Sequence, residues 1–426
     1  MDVLLYSVMV FRSRRARHSS QYYFKKQPKR WRGRAFAWSL LIIMLGCVVS
    51  YLRPLPTLAV AKSNTKQSTT PTSNIAWPTD SIAAIGAEGY GVLASSKGSD
   101  SPVPTASIAK MITVLSVLKQ KPLGQNEQGP TLTMTQADVD AYWNYVNQDG
   151  SVAKVAVGEQ LTQYQALEAV LIPSANNMAD TMAKWAFGSL DAYRAYATSY
   201  VKEIGLTNTT IGSDASGLSP TTTSTPGDLV KLGAIAMQNS VIAEIVNKPS
   251  ATLPVAGTVY NSNKLLGVNG VNGIKTGNSN EARGCVLVSS VHTVAPGKTV
   301  TIIVAVMGAP TLRAALAEGQ ALVQAAGPHF SIDQVVQSGQ TFGDLYIPWE
   351  PNSAAHAVAA YAGSAITWDH SVSPITVNMH TIRNSVAKGS VVGSANLRVG
   401  SSTVSIPLII DRSVSSPSVW WRLIRW

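Results

Sequence analysis

Apolar and polar positions divide the chain into regimes. Ala35 to Leu52 (AFAWSLLIIMLGCVVSYL) runs 18 residues without a charge, about the minimum for a helix that crosses a bilayer. Lys62 to Ala76 is rich in Ser, Thr and Asn and has no apolar period, which predicts a flexible spacer. Folded periodicity begins near Trp77. Ser81 to Ser95 alternates around Glu88-Gly89, predicting a β-hairpin. Ile108, Met111, Ile112, Leu115 and Leu118 have helical spacing. Further helices are predicted from Thr162 to Pro173, from Asn176 to Phe187, from Ser189 onward, and after Thr225-Pro226-Gly227-Asp228, which carries a capping residue, a first-turn proline and an acid three after the cap. Arg283 to Val291 and Thr299 to Met307 are β-branched runs around Pro296-Gly297, and Leu312 to Ala325 closes the region as a helix. That order predicts an α+β domain over 77–330, an antiparallel sheet with helices gathered around it. Over 331–426, short β-rich stretches alternate with Gly/Ser turns and predict a small all-β domain. The Trp-rich tail, Trp420 to Trp426, is expected to pack back onto it, with a membrane interface as the alternative.

Charge sharpens the N-terminal picture. The net charge is +11, but Met1 to Arg53 holds eleven Lys or Arg against one acid, so ten of those charges sit there. A nucleic-acid-binding surface needs its basic patch on the folded part, so no nucleic-acid partner is expected. Ten of the basic residues lie between Arg12 and Arg34, just before the apolar run. The positive-inside rule then makes 1–34 a cytoplasmic arm and 35–52 a membrane anchor or signal segment, with the remainder outside the cell. Ala59-Val60-Ala61 resembles a signal-peptidase site, whereas the length of the apolar run favours an uncleaved anchor. Of the two cysteines, Cys47 lies in the apolar run and Cys285 in a strand-like run, so no disulfide is expected.

The sequence has no Gly-x-Ser-x-Gly elbow and no His-Glu-x-x-His or Cys-x-x-Cys motif. Its six histidines are scattered. Neither a metal nor any other cofactor is expected. A lysine one turn after a serine is another way to activate a hydroxyl, since residues i and i+3 share a helix face. Ser-x-x-Lys occurs six times, starting at Ser63, Ser107, Ser116, Ser151, Ser199 and Ser385. Only Ser107 opens a helix, where free N–H groups and the positive dipole end favour developing negative charge. Ser174-Ala175-Asn176 sits in a short polar loop between two apolar helices, and Lys275-Thr276-Gly277 occurs once, ahead of a strand. Each motif alone is also explained by an N-cap or a turn.

In this order, the three match the set used by β-lactamases and penicillin-binding proteins. The chain resembles the low-molecular-mass penicillin-binding proteins, specifically the D-alanyl-D-alanine carboxypeptidases, over about Trp77 to Phe330. Pro104 to Lys110, Asn263 to Gly267, Gly273 to Gly277, and Asp214 to Leu218 with Ser224 to Asp228 carry that resemblance, as does Lys388 to Gly393 in the trailing β domain. It implies a β-lactamase/transpeptidase-like fold. Ser107 is then the nucleophile and Lys110 its base. Ser174 passes a proton to the leaving D-alanine, and Asn176 holds the acyl-peptide amide and orients Lys110. Lys275, Thr276 and Gly277 bind the substrate, with the N–H of Asn278 and that of Ser107 in the oxyanion hole. Arg313 is a candidate helper for the substrate carboxylate. The implied partners are the peptidoglycan stem peptide and β-lactam antibiotics as covalent inhibitors. Arg283 stands where a small residue is expected. D,D-Endopeptidase or transpeptidase activity, a β-lactamase-like hydrolase and a weakly active wall-binding scaffold are the alternatives.

Overall fold

The computed structural model describes residues 30–57, 59–63, 74–372, 374–400 and 402–425. Most of the basic arm 1–34, and residues 64–73 of the expected spacer, lie outside them. Helix α1 (Arg30–Leu52) contains the apolar run; Gly33 to Leu52 is long and apolar enough to cross a membrane, and only 6% of it is buried.

One five-stranded sheet comprises β2 (Ile82–Ala87), β3 (Gly91–Ser95), β4 (Val271–Ser279), β5 (Arg283–Ala295) and β6 (Lys298–Ala309), antiparallel in the order β4-β5-β6-β2-β3. Alternation along these strands serves two cores. Ala84, Cys285, Leu287, Ile303 and Ala305 face the main helical cluster. Their neighbours Ile85, Val286, Val288, Ile302 and Val304 face the other way, toward α9 (Leu312–Ala326). The cluster comprises α2 (Ala109–Gln120), α3 (Gln136–Val146), α4 (Gln163–Leu171), α5 (Asn176–Phe187), α6 (Leu190–Glu203), α7 (Pro226–Gln238) and α8 (Ser240–Val246). Caps fix the starts: the hydroxyls of Thr162, Ser189 and Thr225 accept from Gln165, Ala192 and Asp228 N–H. Helix α3 was not predicted, because Tyr145 is its one buried residue; a Thr135/Asp138 capping box defines it.

Strands β7 (Phe330–Val336), β8 (Thr341–Tyr346), β9 (Ala355–Ala359), β10 (Gly363–Trp368), β11 (Ile375–Met379), β12 (Val391–Val399) and β13 (Ser402–Ile410) follow. Residues between Val336 and Val414 form a core of their own, whereas Phe330 and Trp368 belong to the core under α9.

Two expectations need correction. Residues 62 and 63 end a strand, β1 (Ala59–Ser63), which pairs with β8, so the spacer cannot begin at Lys62. The tail also does not complete the β domain to 426. It forms α10 (Val419–Ile424), grouped with α1 as one compact unit apart from Thr57–Ile382 and Val386–Val414. The Ser50 hydroxyl donates to the carbonyls of Arg422 and Arg425 there, which gives α10 a polar partner on α1. Arg283, which stands where the resemblance implies a small residue, has φ +59°, a left-handed conformation that glycine adopts without strain.

Candidate active site

The segment that leads into Ser107 is held by backbone pairing. Thr105 N–H donates to the Thr222 carbonyl at 3.1 Å, Val103-Pro104 pairs with Thr223-Ser224, and Ala106 adopts φ +46°. A short 3-10 turn, Ala106–Ile108, then runs into α2. Ala106 and Ile108 are buried, and Ser107 alone of the three is partly exposed. One turn on, Lys110 is fully buried. Its Nζ donates to Ser107 Oγ at 2.8 Å, to Asn176 Oδ1 at 2.6 Å and to the Ser216 carbonyl at 2.9 Å. Burial, then the Lys275 cation, push the Lys110 pKa well below the ordinary lysine range; Asp214 and Asp180 oppose the shift. As a neutral amine, Lys110 keeps two N–H donors for Asn176 Oδ1 and the Ser216 carbonyl and presents its lone pair to the Ser107 hydroxyl, which it can then deprotonate with little reorganisation.

Ser174 lies in the loop between α4 and α5 with φ +66°. Its Oγ is buried and has no hydrogen-bond partner among the described residues, an uncommon state for a buried hydroxyl. Asn176 is the first residue of α5, and its N–H is tied to the Ser151 carbonyl at 2.7 Å. From the third side, β4 delivers Lys275, Thr276, Gly277 and Asn278. Lys275 is buried, donates to the Thr276 carbonyl at 3.0 Å, and has its pKa pulled down to about 7 by desolvation. Thr276 Oγ1 lies 2.7 Å from Ser262 Oγ. A Cβ on Gly277 would lie 3.0 Å from the Thr105 carbonyl and 3.2 Å from Ser107 N, so glycine lets β4 approach the turn that carries Ser107. Asn278 is exposed and lines an open cleft of about 660 Å³ with Tyr145, Asp149, Asp214 and Glu281.

Ser107, Lys110 and Asn176 thus form one bonded cluster, and β4 packs against its turn. Arg313 is exposed in the first turn of α9. The two serines mid-helix in the other Ser-x-x-Lys matches sit otherwise. Ser116 Oγ is buried without a partner among the described residues, and Ser199 Oγ donates to the Ala195 carbonyl of its own helix.

The sequence singled out Asp214 to Leu218 only as part of the resemblance and gave it no role; it forms the fourth wall. The Asp214 carboxylate accepts from the N–H groups of Gly217, Leu218 and Ser219 and from Ser216 Oγ, folding a tight loop. Asp180 accepts from Ala215 N–H and the Tyr145 hydroxyl, and Thr113 Oγ1 donates to the Ala215 carbonyl. Residue 215 is therefore clamped on both sides, which holds the Ser216 carbonyl against Lys110. The signal was an Asp followed three residues later by Gly, a turn signature. Gly217 has φ +73°, and a Cβ there would lie 2.1 Å from the Ala106 carbonyl. Gly217→Ala is expected to destabilise by more than about 1 kcal/mol and to slow penicillin acylation, checked by thermal unfolding and by labelling kinetics.

An α+β fold with a serine–lysine pair at a helix start defines the acyl-transferase class of penicillin-interacting proteins. A family model described as D-alanyl-D-alanine carboxypeptidase matches residues 68–311, more than half of the chain, which belongs to that family. It is 25% identical to D-alanyl-D-alanine carboxypeptidase DacA of Escherichia coli K12 over 336 residues, covering 75% of this chain and 79% of the relative. DacB2 of Mycobacterium tuberculosis is 32% identical over 186 residues, 42% of this chain and 60% of the relative. The fold is similar to penicillin binding protein 5 of Haemophilus influenzae, with a TM-score of 0.57 at 20% identity, covering 80% of this chain and 100% of that one. The expected family, fold class and activity hold: the chain is a serine-type D-Ala-D-Ala carboxypeptidase of peptidoglycan metabolism.

Proposed function

We propose that the enzyme removes the terminal D-alanine of peptidoglycan stem pentapeptides through an acyl-enzyme on Ser107. The carrying observation is the buried Lys110 amine 2.8 Å from Ser107 Oγ. Lys110 takes the hydroxyl proton as Oγ attacks the carbonyl between the two D-alanines. The N–H groups of Ser107 and Asn278 hold the oxyanion, each such donor being worth about 3 kcal/mol. Ser174 Oγ, unpaired in the free enzyme, relays the proton to the departing amine. Asn176 orients Lys110 and the acyl-peptide amide. Lys275 and Thr276 bind the free carboxylate, with Gly277 letting their strand reach the turn. That charge pairing explains a preference for a chain-terminal bond. Water then releases the acyl-enzyme, with the same residues acting in reverse.

A β-lactam offers the same acyl group and carboxylate, so it acylates Ser107 and leaves slowly. Fast deacylation by a glutamate, as in a class A β-lactamase, finds no support. Between Ala179 and Leu218 the only glutamate is Glu203, exposed and 3.7 Å from Lys119. Helix α1 is the membrane span, with the basic arm in the cytoplasm and the catalytic domain (77–330) and the β domain from 331 outside. Its length, its exposed apolar surface and the ten basic residues before it support this.

The test is Ser107→Ala beside the wild-type ectodomain. Wild type is expected to bind fluorescent penicillin and release D-alanine from a pentapeptide, and the variant to do neither. Equal labelling of both sinks the proposal.

A further inference from the structure

Ser262 touches the wall that β4 brings to the site, yet it belongs to none of the three motifs. It lies between the hairpin of Ser250–Leu253 with Gly257–Tyr260 and the start of β4. Its two neighbours hold that segment in place. The Asn261 amide donates to the carbonyls of Val246 and Lys248 at 3.2 and 2.9 Å, and its oxygen accepts from Asn263 N–H at 2.9 Å. The Asn263 amide donates to the Gly273 carbonyl at 3.0 Å, two residues before Lys275, and its oxygen accepts from Leu265 N–H at 3.1 Å. Both asparagines are buried, whereas Ser262 between them is half-buried. The Ser262 N–H donates to the Ile172 carbonyl at 3.4 Å, two residues before Ser174. Its Oγ lies 2.7 Å from Thr276 Oγ1, and neither oxygen has another partner among the described residues.

Two hydroxyls carry two protons, and the bond between them uses one. The other is free for a ligand, and a carboxylate is purely an acceptor. Whichever hydroxyl donates to that ligand is itself hydrogen-bonded from behind. That polarises it and strengthens its bond to an anion.

We infer that Ser262 is a positioning residue for the substrate's free carboxylate, completing a Ser262–Thr276 hydroxyl pair that donates one hydrogen bond to that anion. The inference rests on the reading that Lys275 and Thr276 bind the carboxylate. Three observations support it. The asparagine amides fix the segment, so the serine hydroxyl is not needed for its shape. The one contact of that hydroxyl is to a residue of the carboxylate wall. The Ser262 N–H meets the stretch leading into Ser174, so one residue ties the carboxylate wall to the loop that relays the leaving-group proton. An uncharged ligand gains less from the pair, because a hydrogen bond to an ionised group is about twice as strong as one between neutral groups.

The test uses the full chain in detergent micelles and measures the second-order rate of acylation by benzylpenicillin and by its methyl ester, which lacks the negative charge. Wild type is expected to react faster with the acid. Ser262→Ala is expected to slow the acid about 10-fold and the ester less than about 2-fold. A wild type that prefers the acid, with equal losses for both compounds in the variant or no loss for either, overturns the inference and leaves the carboxylate reading intact. A wild type that reacts equally with acid and ester overturns both. In a Thr276→Ala background the pair is already broken, so Ser262→Ala is expected to cost less than about 2-fold more. A further loss of about 10-fold in that background contradicts action through Thr276.

Discussion

Lys110→Met is expected to lower the rate of acylation by penicillin about 1,000-fold, within the range of about 10²–10⁴ that a positioned general base supplies. Methionine is close to lysine in length and fills the same buried channel, so the helix cluster keeps its packing. What is lost is the basic nitrogen 2.8 Å from Ser107 Oγ. The carbonyl of Ser216 and Oδ1 of Asn176 also lose their donor, at a cost of about 1–3 kcal/mol for a buried unpaired acceptor. Removal of a buried amine offsets part of that, so the variant is expected to remain folded by circular dichroism. Rapid-quench labelling measures the rate. If Lys110 were only a buried structural lysine, folded Lys110→Met would label at the wild-type rate.

Lys275→Met is expected to cost activity and raise stability together. Lys275 is buried without an ion-pair partner among the described residues, and desolvation draws its pKa down to about 7. Folded pKa below the usual lysine value means that the unfolded chain binds more protons between about pH 7 and 10.5. Wild-type stability therefore rises with pH across that window, by up to about 1.4 kcal/mol per unit from this group. Methionine removes the dependence, so the variant is expected to have the higher Tm at neutral pH, by about 2–4 °C per kcal/mol gained. Activity moves the other way. Loss of a desolvated charge opposite a carboxylate costs about 2–5 kcal/mol, so kcat/KM for a pentapeptide falls about 30-fold or more. In the wild type, kcat/KM is expected to decline above about pH 7 as free Lys275 loses its proton, while kcat declines at higher pH because bound carboxylate retains it. The Lys275 cation also depresses Lys110, so Lys275→Met shifts the acid limb of acylation to higher pH. A variant with an unchanged acid limb and wild-type kcat/KM contradicts both roles.

The sequence made some parts legible and hid others for physical reasons. Helix α5 was readable because its apolar period is strong and Pro173 and Gly188 bound it. The pairing of Ser107 with Lys110 was readable only in company, since five other serines share the spacing. What separates them is the turn that leaves Ser107 partly exposed and buries its lysine. The Ser216 carbonyl was invisible, because every residue has one and only the fold aims it. Asp180, one turn beyond Asn176, belongs to no motif, yet it clamps Ala215. The tail was hidden for a similar reason: its apolar residues name a surface to be covered, and only the fold sets its other side against α1.

The most direct measurement is the site of covalent attachment. The ectodomain is saturated with benzylpenicillin, digested, and its peptides mapped by mass spectrometry. The expected result is a single penicilloyl adduct, on the peptide bearing Ser107 and fragmenting to that residue. An adduct on Ser174, on Ser116 or on any other residue, or no adduct on folded protein, contradicts Ser107 as the nucleophile.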